Sequence, residues 1–338
     1  MGPCTRAKRA YGLEVNPMTS SVSPDDDRRS SRMAFVAVGV TVVLWASAFV
    51  GIRAVATSFG PGPLTLGRLL VGCTALGVVV AVKRGPWPAR RDLLFIIGYG
   101  VLWFAGYNLA LNAAEQHLDA GTTALLVNIG PILIAILAGI FLHEGFPRPL
   151  LIGSAVALVG AALVAFGSTA DRTTDVNGAF LAVLAAVFYA AGVTVQKPVL
   201  KRVNALQATF LGCSVGAIVT LPFAPALWTA VSEAPTSAVL GLVYLGVFPT
   251  AIAFTTWAYA LSRMPAGRLG ATTYLTPIIA TLLAWAFLGE VPAALAFVGG
   301  SICLVGVAIT RMRRRIPAAM PRLGDVRLGD VAAPEQNG

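Results

Sequence analysis

Long apolar stretches separated by brief polar joints make up most of this chain. Ten of them, at residues 33–54, 63–82, 93–114, 119–142, 149–168, 178–197, 205–227, 237–262, 266–288 and 293–311, have the length and polarity of membrane-crossing helices. About 20 mainly apolar residues are needed to cover roughly 30 Å of hydrocarbon. The joints carry proline, glycine or charge, as in Phe59-Gly60-Pro61-Gly62-Pro63 and Phe146-Pro147-Arg148-Pro149, which break helices and favour turns. A membrane barrel would instead show segments of about 10 residues with alternating polarity. The pattern therefore predicts helices throughout.

The apolar pattern also repeats. A shift of 146 positions lays Pro131–Glu144 onto Pro277–Glu290, with half of the positions identical. Without a gap, the same shift carries Gly100-Val101 onto Gly246-Val247, Ala120-Gly121 onto Ala266-Gly267, and Leu158-Val159-Gly160 onto Leu304-Val305-Gly306. A duplication inside an apolar chain points to a transporter built from two halves.

Composition and charge then orient this arrangement. The 338 residues are 57% hydrophobic and 12% charged, with mean hydropathy +0.77, too apolar for a water-facing surface. The net charge of +10 would suggest a nucleic-acid partner in a soluble protein. Here the cations Arg32, Lys83, Arg90, Arg91, Arg148, Lys201, Arg202, Arg263 and Arg313 fall on one side of the expected spans, while Arg53 and Arg172 fall on the other. This is the positive-inside pattern, which places both termini in the cytoplasm. Five spans in the first half force the second half to enter from the opposite face. The fold expected is all-α integral membrane, with ten transmembrane helices as two inverted five-helix repeats. The divisions are a disordered tail over 1–32, a first repeat over 33–168, a linker over 169–177, a second repeat over 178–312 and a disordered tail over 313–338. The first apolar segment is too long for a signal-peptide core and is read as a retained helix.

Several residues are candidates for the chemistry. Pro131 and Pro277 sit near the centres of the fourth and ninth spans, where each removes a backbone donor and frees carbonyls that can border a substrate path. Three residues before them lie Asn128 and Tyr274, and Asn108 and Asn112 lie one turn apart on the third span. Such polar groups face other helices or a cavity, since lipid offers no partner. Trp45 and Tyr189 coincide when the first and sixth spans are aligned, and Trp257 is read as joining them. Arg68, about 7.5 Å into the second span, either snorkels to the interface, anchors an anionic group or pairs with a carboxylate. Glu144 and Glu290 close the repeated helices at the membrane faces. They are read as structural acceptors for the next segment's opening, with proton coupling as the alternative role, and no other carboxylate is expected deep within a span. Small residues at Gly153, Ala157 and Ala161 suit close helix contact, between the halves or in a homodimer. Two histidines and no phosphate-binding glycine loop leave no enzymatic or metal signature, and no cofactor is expected. Cys73, Cys213 and Cys303 read as reduced small residues.

These residues resemble a known family. Trp45-Ala46-Ser47-Ala48-Phe49, Arg68, the doubled Pro131–Glu144 and Pro277–Glu290 blocks and the Gly153 to Gly160 and Gly299 to Gly306 segments are similar to those of EamA-type transporters of the drug/metabolite transporter superfamily, over about residues 33–312. The resemblance implies a central cavity, alternating access without ATP, and export of small metabolites such as amino acids. It implies that Trp45, Asn108, Asn128, Tyr189, Trp257 and Tyr274 lie on spans surrounding that cavity, in a bacterial inner membrane. The partners implied are a small-molecule substrate and the lipid bilayer. A multidrug exporter of the same fold and a non-transporting membrane sensor are the other readings.

Overall fold

The computed structural model describes residues 24–83, 85–118, 120–168, 175–288, 294–310 and Met312. Among these residues every regular element is helical. In chain order they are α1 (Pro24–Val55) and α2 (Pro61–Lys83), α3 (Arg90–His117), α4 (Ala120–Val127), α5 (Gly130–Phe141) and α6 (Arg148–Ser168). Then follow α7 (Val176–Val199), α8 (Ala205–Glu233) and α9 (Thr236–Leu261). Last come α10 (Ala266–Gly270), which runs through a 3₁₀ turn at Ala271–Tyr274 into α11 (Leu275–Leu288), and α12 (Ala294–Thr310). Among the described residues six helices are long and apolar enough to cross a membrane: Arg32–Val55, α2, α3, α7, α8 and α9.

The first helix begins at Pro24, nine residues before the expected start at 33. Proline and the three aspartates that follow it suit a helix N-terminus, because a first-turn proline loses no bonded N–H and the acids oppose the positive dipole end. Residues 1–23, the C-terminal stretch 313–338 and Glu290 lie outside the described residues.

Two helices widen at matching places. α3 is π-helical over Gly100–Tyr107 and α9 over Gly246–Ile252, so the widened turns start 146 residues apart. In α9 the cause is visible: Pro249 has no N–H to give Leu245 O, and Thr250 Oγ1 donates to that carbonyl at 2.8 Å instead. In α3 the Asn108 amide donates to Trp103 O at 3.3 Å and Phe104 O at 3.0 Å. Glycine starts both turns because neighbours crowd it. A Cβ at Gly246 would stand 2.5 Å from Val71, and one at Gly100 would stand 2.7 Å from Val215.

Packing runs mainly across the chain's two halves. α2 lies on α8, α3 on α7 and α8, and α1 on α9 and α11. Side chains tie them: Thr41 Oγ1 meets Thr256 Oγ1 at 2.7 Å, Ser47 Oγ meets Tyr244 Oη at 2.7 Å, and Tyr99 Oη donates to Ala208 O at 2.5 Å. Each such bond contributes about 0.6 kcal/mol inside a membrane.

The closest seam joins α6 to α12, through the small residues singled out above. A Cβ on Gly306 would stand 2.3 Å from Ala157 N, and one on Gly160 would stand 2.3 Å from Cys303 N. Backbone meets backbone there, so no side-chain motion relieves a larger residue. Gly306→Val is accordingly expected to drop out of the monodisperse peak on size-exclusion chromatography, whereas Gly39→Val, at a glycine with nothing within 4 Å, elutes as the parent does.

Candidate functional site

Rings from four helices meet in the middle of the bundle. Trp45 of α1 stands 4.9 Å from Trp257 and 5.5 Å from Phe254 of α9, 6.1 Å from Trp103 of α3 and 6.2 Å from Tyr189 of α7, centroid to centroid. The Trp45–Tyr189 planes cross at 89°, the edge-to-face arrangement that the ring quadrupoles favour. Trp103, Phe254 and Trp257 are fully covered, while Trp45 keeps a partly open face. Trp45 therefore reaches the cavities described next, and Trp257 packs behind it.

Two small cavities adjoin and share Trp45, Phe49 and Tyr107. One, of about 20 Å³, is walled also by Ile52, Arg68, Asn108 and Leu111. The other, of about 40 Å³, is walled by Trp103, Asn128, Tyr189, Thr273 and Thr276. Such volumes hold a few water molecules at most, far below the roughly 300 Å³ of a ligand pocket. Among the described residues these two cavities leave little open space beside the rings. A larger cleft of about 610 Å³ lies between Lys83, Gln207, Tyr259 and Arg263 and marks the cationic end of the bundle, away from the rings.

The two helix breaks border the second cavity. In the first half, the chain leaves helical geometry at Asn128-Ile129 and resumes at Gly130, just before Pro131. In the second half, the 3₁₀ turn ends at Tyr274, just before Pro277. Asn128 precedes one proline, and Thr273 and Thr276 precede the other. Tyr274 itself is turned away. It is buried against Ala157, Ala161 and Cys303 of α6 and α12, so the cavity position expected of it is held by its two threonine neighbours. The amide nitrogens of Asn108 and Asn128 are both committed to carbonyls of their own helices, the latter to Ala124 O at 2.8 Å.

Arg68 does not snorkel. Its side chain is buried, at 4% exposure, and Nη1 makes one long contact of 3.5 Å with Asn112 Oδ1. Asn112 is held in turn by donating to Thr65 Oγ1 at 2.8 Å. The guanidinium Nε has no partner. Three residues beyond Asn112 stands Glu115, whose two buried oxygens accept no hydrogen bond and which interacts electrostatically with Arg68 and Arg53. Glu115 is a buried carboxylate that the sequence reading did not single out, two residues from the end of its helix. Hydropathy had ended the third span at 114, but the helix carries on to His117 with Glu115 facing inward.

Glu144 lies at the cationic end, far from the rings. It accepts from Ala266 N at 3.0 Å and Gly267 N at 3.4 Å, and pairs with Lys197 at 3.4 Å. Lys197 also donates to the carbonyls of Leu261 and Met264. The turn that aims Glu144 has His143 and Gly145 in the left-handed region, at φ 56° and 73°. The acceptor role is the one expected, though the helix opening that it serves is α10 in the other half. Asp92 pairs with Arg202 nearby, and the hydrogen bond to Asp92 holds the Arg202 guanidinium above its ordinary pKa. At the opposite end His117 and Asp175 meet at 2.7 Å.

The profile of the EamA-like transporter family matches the chain twice, at residues 32–166 and 176–312. A probable terminal-alkyne amino-acid exporter of Streptantibioticus cattleyicolor is 36% identical over 84% of this chain and 96% of its own length. The uncharacterized transporter YdfC of Bacillus subtilis is 33% identical over 85% and 93%. The aromatic amino acid exporter YddG of Ancylobacter novellus is 29% identical over 62% and 70%. A solved crystal structure shares the fold at TM-score 0.66 and 20% identity, covering 82% of this chain and 96% of that one.

Proposed function

The chain belongs to the EamA-like transporter family, and from that premise we propose that it is a secondary exporter of small metabolites, amino acids or their derivatives, in a bacterial inner membrane. It is a multi-pass membrane protein. In the proposed topology it crosses ten times as two inverted five-helix repeats, 33–168 and 178–312, with both termini in the cytoplasm. The 146-residue shift, the π-helical turns at Gly100 and Gly246 and the exchange of contacts between halves support that arrangement.

One observation carries the proposal: both proline-bordered breaks and the Trp45–Tyr189 pair border one small cavity among the rings, and a buried cation stands in the wall of its neighbour. Sites of this kind sit at the interface of transporter repeats. Rocking of the halves about Pro131 and Pro277 would open the cavity to one face at a time. The ion pairs Glu144–Lys197 and Asp92–Arg202 link helices of the two halves at the cationic end and would part when that end opens. Glu144 and Glu290 remain proposed as proton carriers only secondarily, since Glu144 is already occupied by two N–H groups and Lys197.

Counterflow tests the function. Purified protein in proteoliposomes loaded with unlabelled amino acids is expected to accumulate labelled ones transiently, without ATP or a gradient. Absence of counterflow for every amino acid tried would remove the reading. One observation favours a multidrug exporter instead: Glu115 supplies the buried carboxylate that an organic cation needs. Arg68 beside it opposes a lone cation, and an ethidium arm in the same assay separates the two.

A further inference from the structure

The transport reading leaves Glu115 without a part. On α3 it stands one turn beyond Leu111 and two beyond Asn108, and both of those wall the Arg68 cavity. It lies three residues beyond Asn112, which Arg68 of α2 contacts, and it interacts electrostatically with Arg68, with Arg53 from α1 and with Tyr107 from its own helix. From α7, packed on this part of α3, the titratable groups are Asp175, already held by His117, Tyr189 at the rings, and Lys197 at the cationic end. α4 carries none.

An arginine and a carboxyl thus stand on packed helices, Glu115 three residues beyond the Asn112 that Arg68 reaches at 3.5 Å, and both keep hydrogen-bonding capacity in reserve. No salt bridge joins them, Arg68 Nε is bare, and both Glu115 oxygens are bare. A buried ion is stable only when paired and hydrogen-bonded, so the gap calls for a ligand that satisfies both. A lone carboxylate would answer Arg68 and leave Glu115, while a lone amine would do the reverse. A zwitterion, carrying carboxylate and ammonium on one carbon, answers both at once, the carboxylate taking the planar fork of the guanidinium.

We infer that Arg68 and Glu115 together read the zwitterion of an α-amino acid, and that a proton takes the place of the ammonium on Glu115 when the amino acid is gone. This rests on the transport reading and names its substrate class and its exchange partner. The proton arrives from water on one face, binds a Glu115 oxygen, and leaves to water on the other face after the cavity has turned. Proton and ammonium compete for one carboxylate, so each crossing carries one or the other, and export of amino acid accompanies entry of a proton. The apolar rings around Trp45 then take the side chain.

The test uses proteoliposomes and a pool of labelled L-leucine and L-phenylalanine, with 3-phenylpropanoate and 2-phenylethylamine as competitors that each lack one charge. Unlabelled phenylalanine is expected to inhibit counterflow at least tenfold better than either half-molecule. Glu115→Gln should lose at least tenfold in counterflow and all response to an imposed pH gradient, and Glu115→Asp should recover part of both. Equal inhibition by 3-phenylpropanoate, or a folded Glu115→Gln protein that still answers the gradient, would overturn the pair. If Glu115→Gln fails to fold, the competitor ranking on the parent protein decides alone. Movement of 2-phenylethylamine or ethidium but no amino acid would overturn the amino-acid reading as well, whereas counterflow of amino acids indifferent to Glu115 overturns the inference only.

Discussion

Replacing Arg68 by alanine is expected to abolish transport while leaving a folded protein in the membrane. The side chain is buried in the cavity wall but makes one long hydrogen bond, to Asn112 at 3.5 Å, so the helix bundle loses little with it. Burying a guanidinium costs several kcal/mol of desolvation, and only an anionic partner offsets that. A charge-assisted hydrogen bond contributes about 1.5–3 kcal/mol, and loss of a two-pronged contact weakens carboxylate binding roughly 100-fold or more. Arg68→Lys keeps the charge but loses the planar fork, and should fall between the two. Counterflow and melting temperature measured on the same preparations check this. A large fall in melting temperature with transport lost in proportion would mean that Arg68 holds helices, while full transport by Arg68→Ala would remove it from the site.

Glu144→Ala is expected to have the largest effect on stability at the cationic end. The carboxylate satisfies the first two N–H groups of α10 and neutralises Lys197, each side chain only 17% exposed. Loss of a capping acceptor costs about 0.5–2 kcal/mol, and breaking a buried ion pair costs about 3–5 kcal/mol. The pair here keeps some exposure, so a total of about 2–4 kcal/mol is expected, a large share of a marginal fold. Glu144→Gln keeps an acceptor for Ala266 N and loses the charge, so it should melt between the parent and Glu144→Ala. Because Glu144 and Lys197 join α5 to α7 and to the α9–α10 turn, both variants should also favour opening at this end. Equal melting of the two variants would show that capping contributes nothing. Parent-like melting of both would show that the link is not structural.

How far the residues alone could be read depended on what kind of signal each carried. The helical pattern, the doubled Pro-to-Glu blocks and the meeting of Trp45 with Tyr189 follow from hydropathy and from aligned positions, which depend on the chain and not on its packing. Glu115 was missed because averaging hydropathy ends a span where charge begins, while a helix continues as long as its neighbours cover it. Trp103 and Phe254 belong to no motif and match no aromatic residue in the repeat alignment, so their place in the ring cluster shows only in three dimensions. Tyr274 is the repeat counterpart of Asn128 and is expected on a span that surrounds the cavity. The 3₁₀ turn at Ala271–Tyr274 advances about 120° per residue in place of about 100°, which over four residues swings the side chain some 80° and brings Thr273 and Thr276 to the cavity. The π-helical turns are of the same kind: Pro249 announces one, but its counterpart in α3 has no proline.

Two-sided access to the central cavity is the claim on which the rest depends, and a single cysteine tests it most directly. Ala48→Cys, in a chain whose native cysteines are replaced, puts a thiol in the wall beside Trp45 and Arg68. Membrane-impermeant maleimide should label it from either face of oriented vesicles, slowly because the resting cavity is small, and amino acids that support counterflow should protect it from both sides. Labelling from one face alone, unaffected by any such amino acid, would contradict alternating access at this cavity.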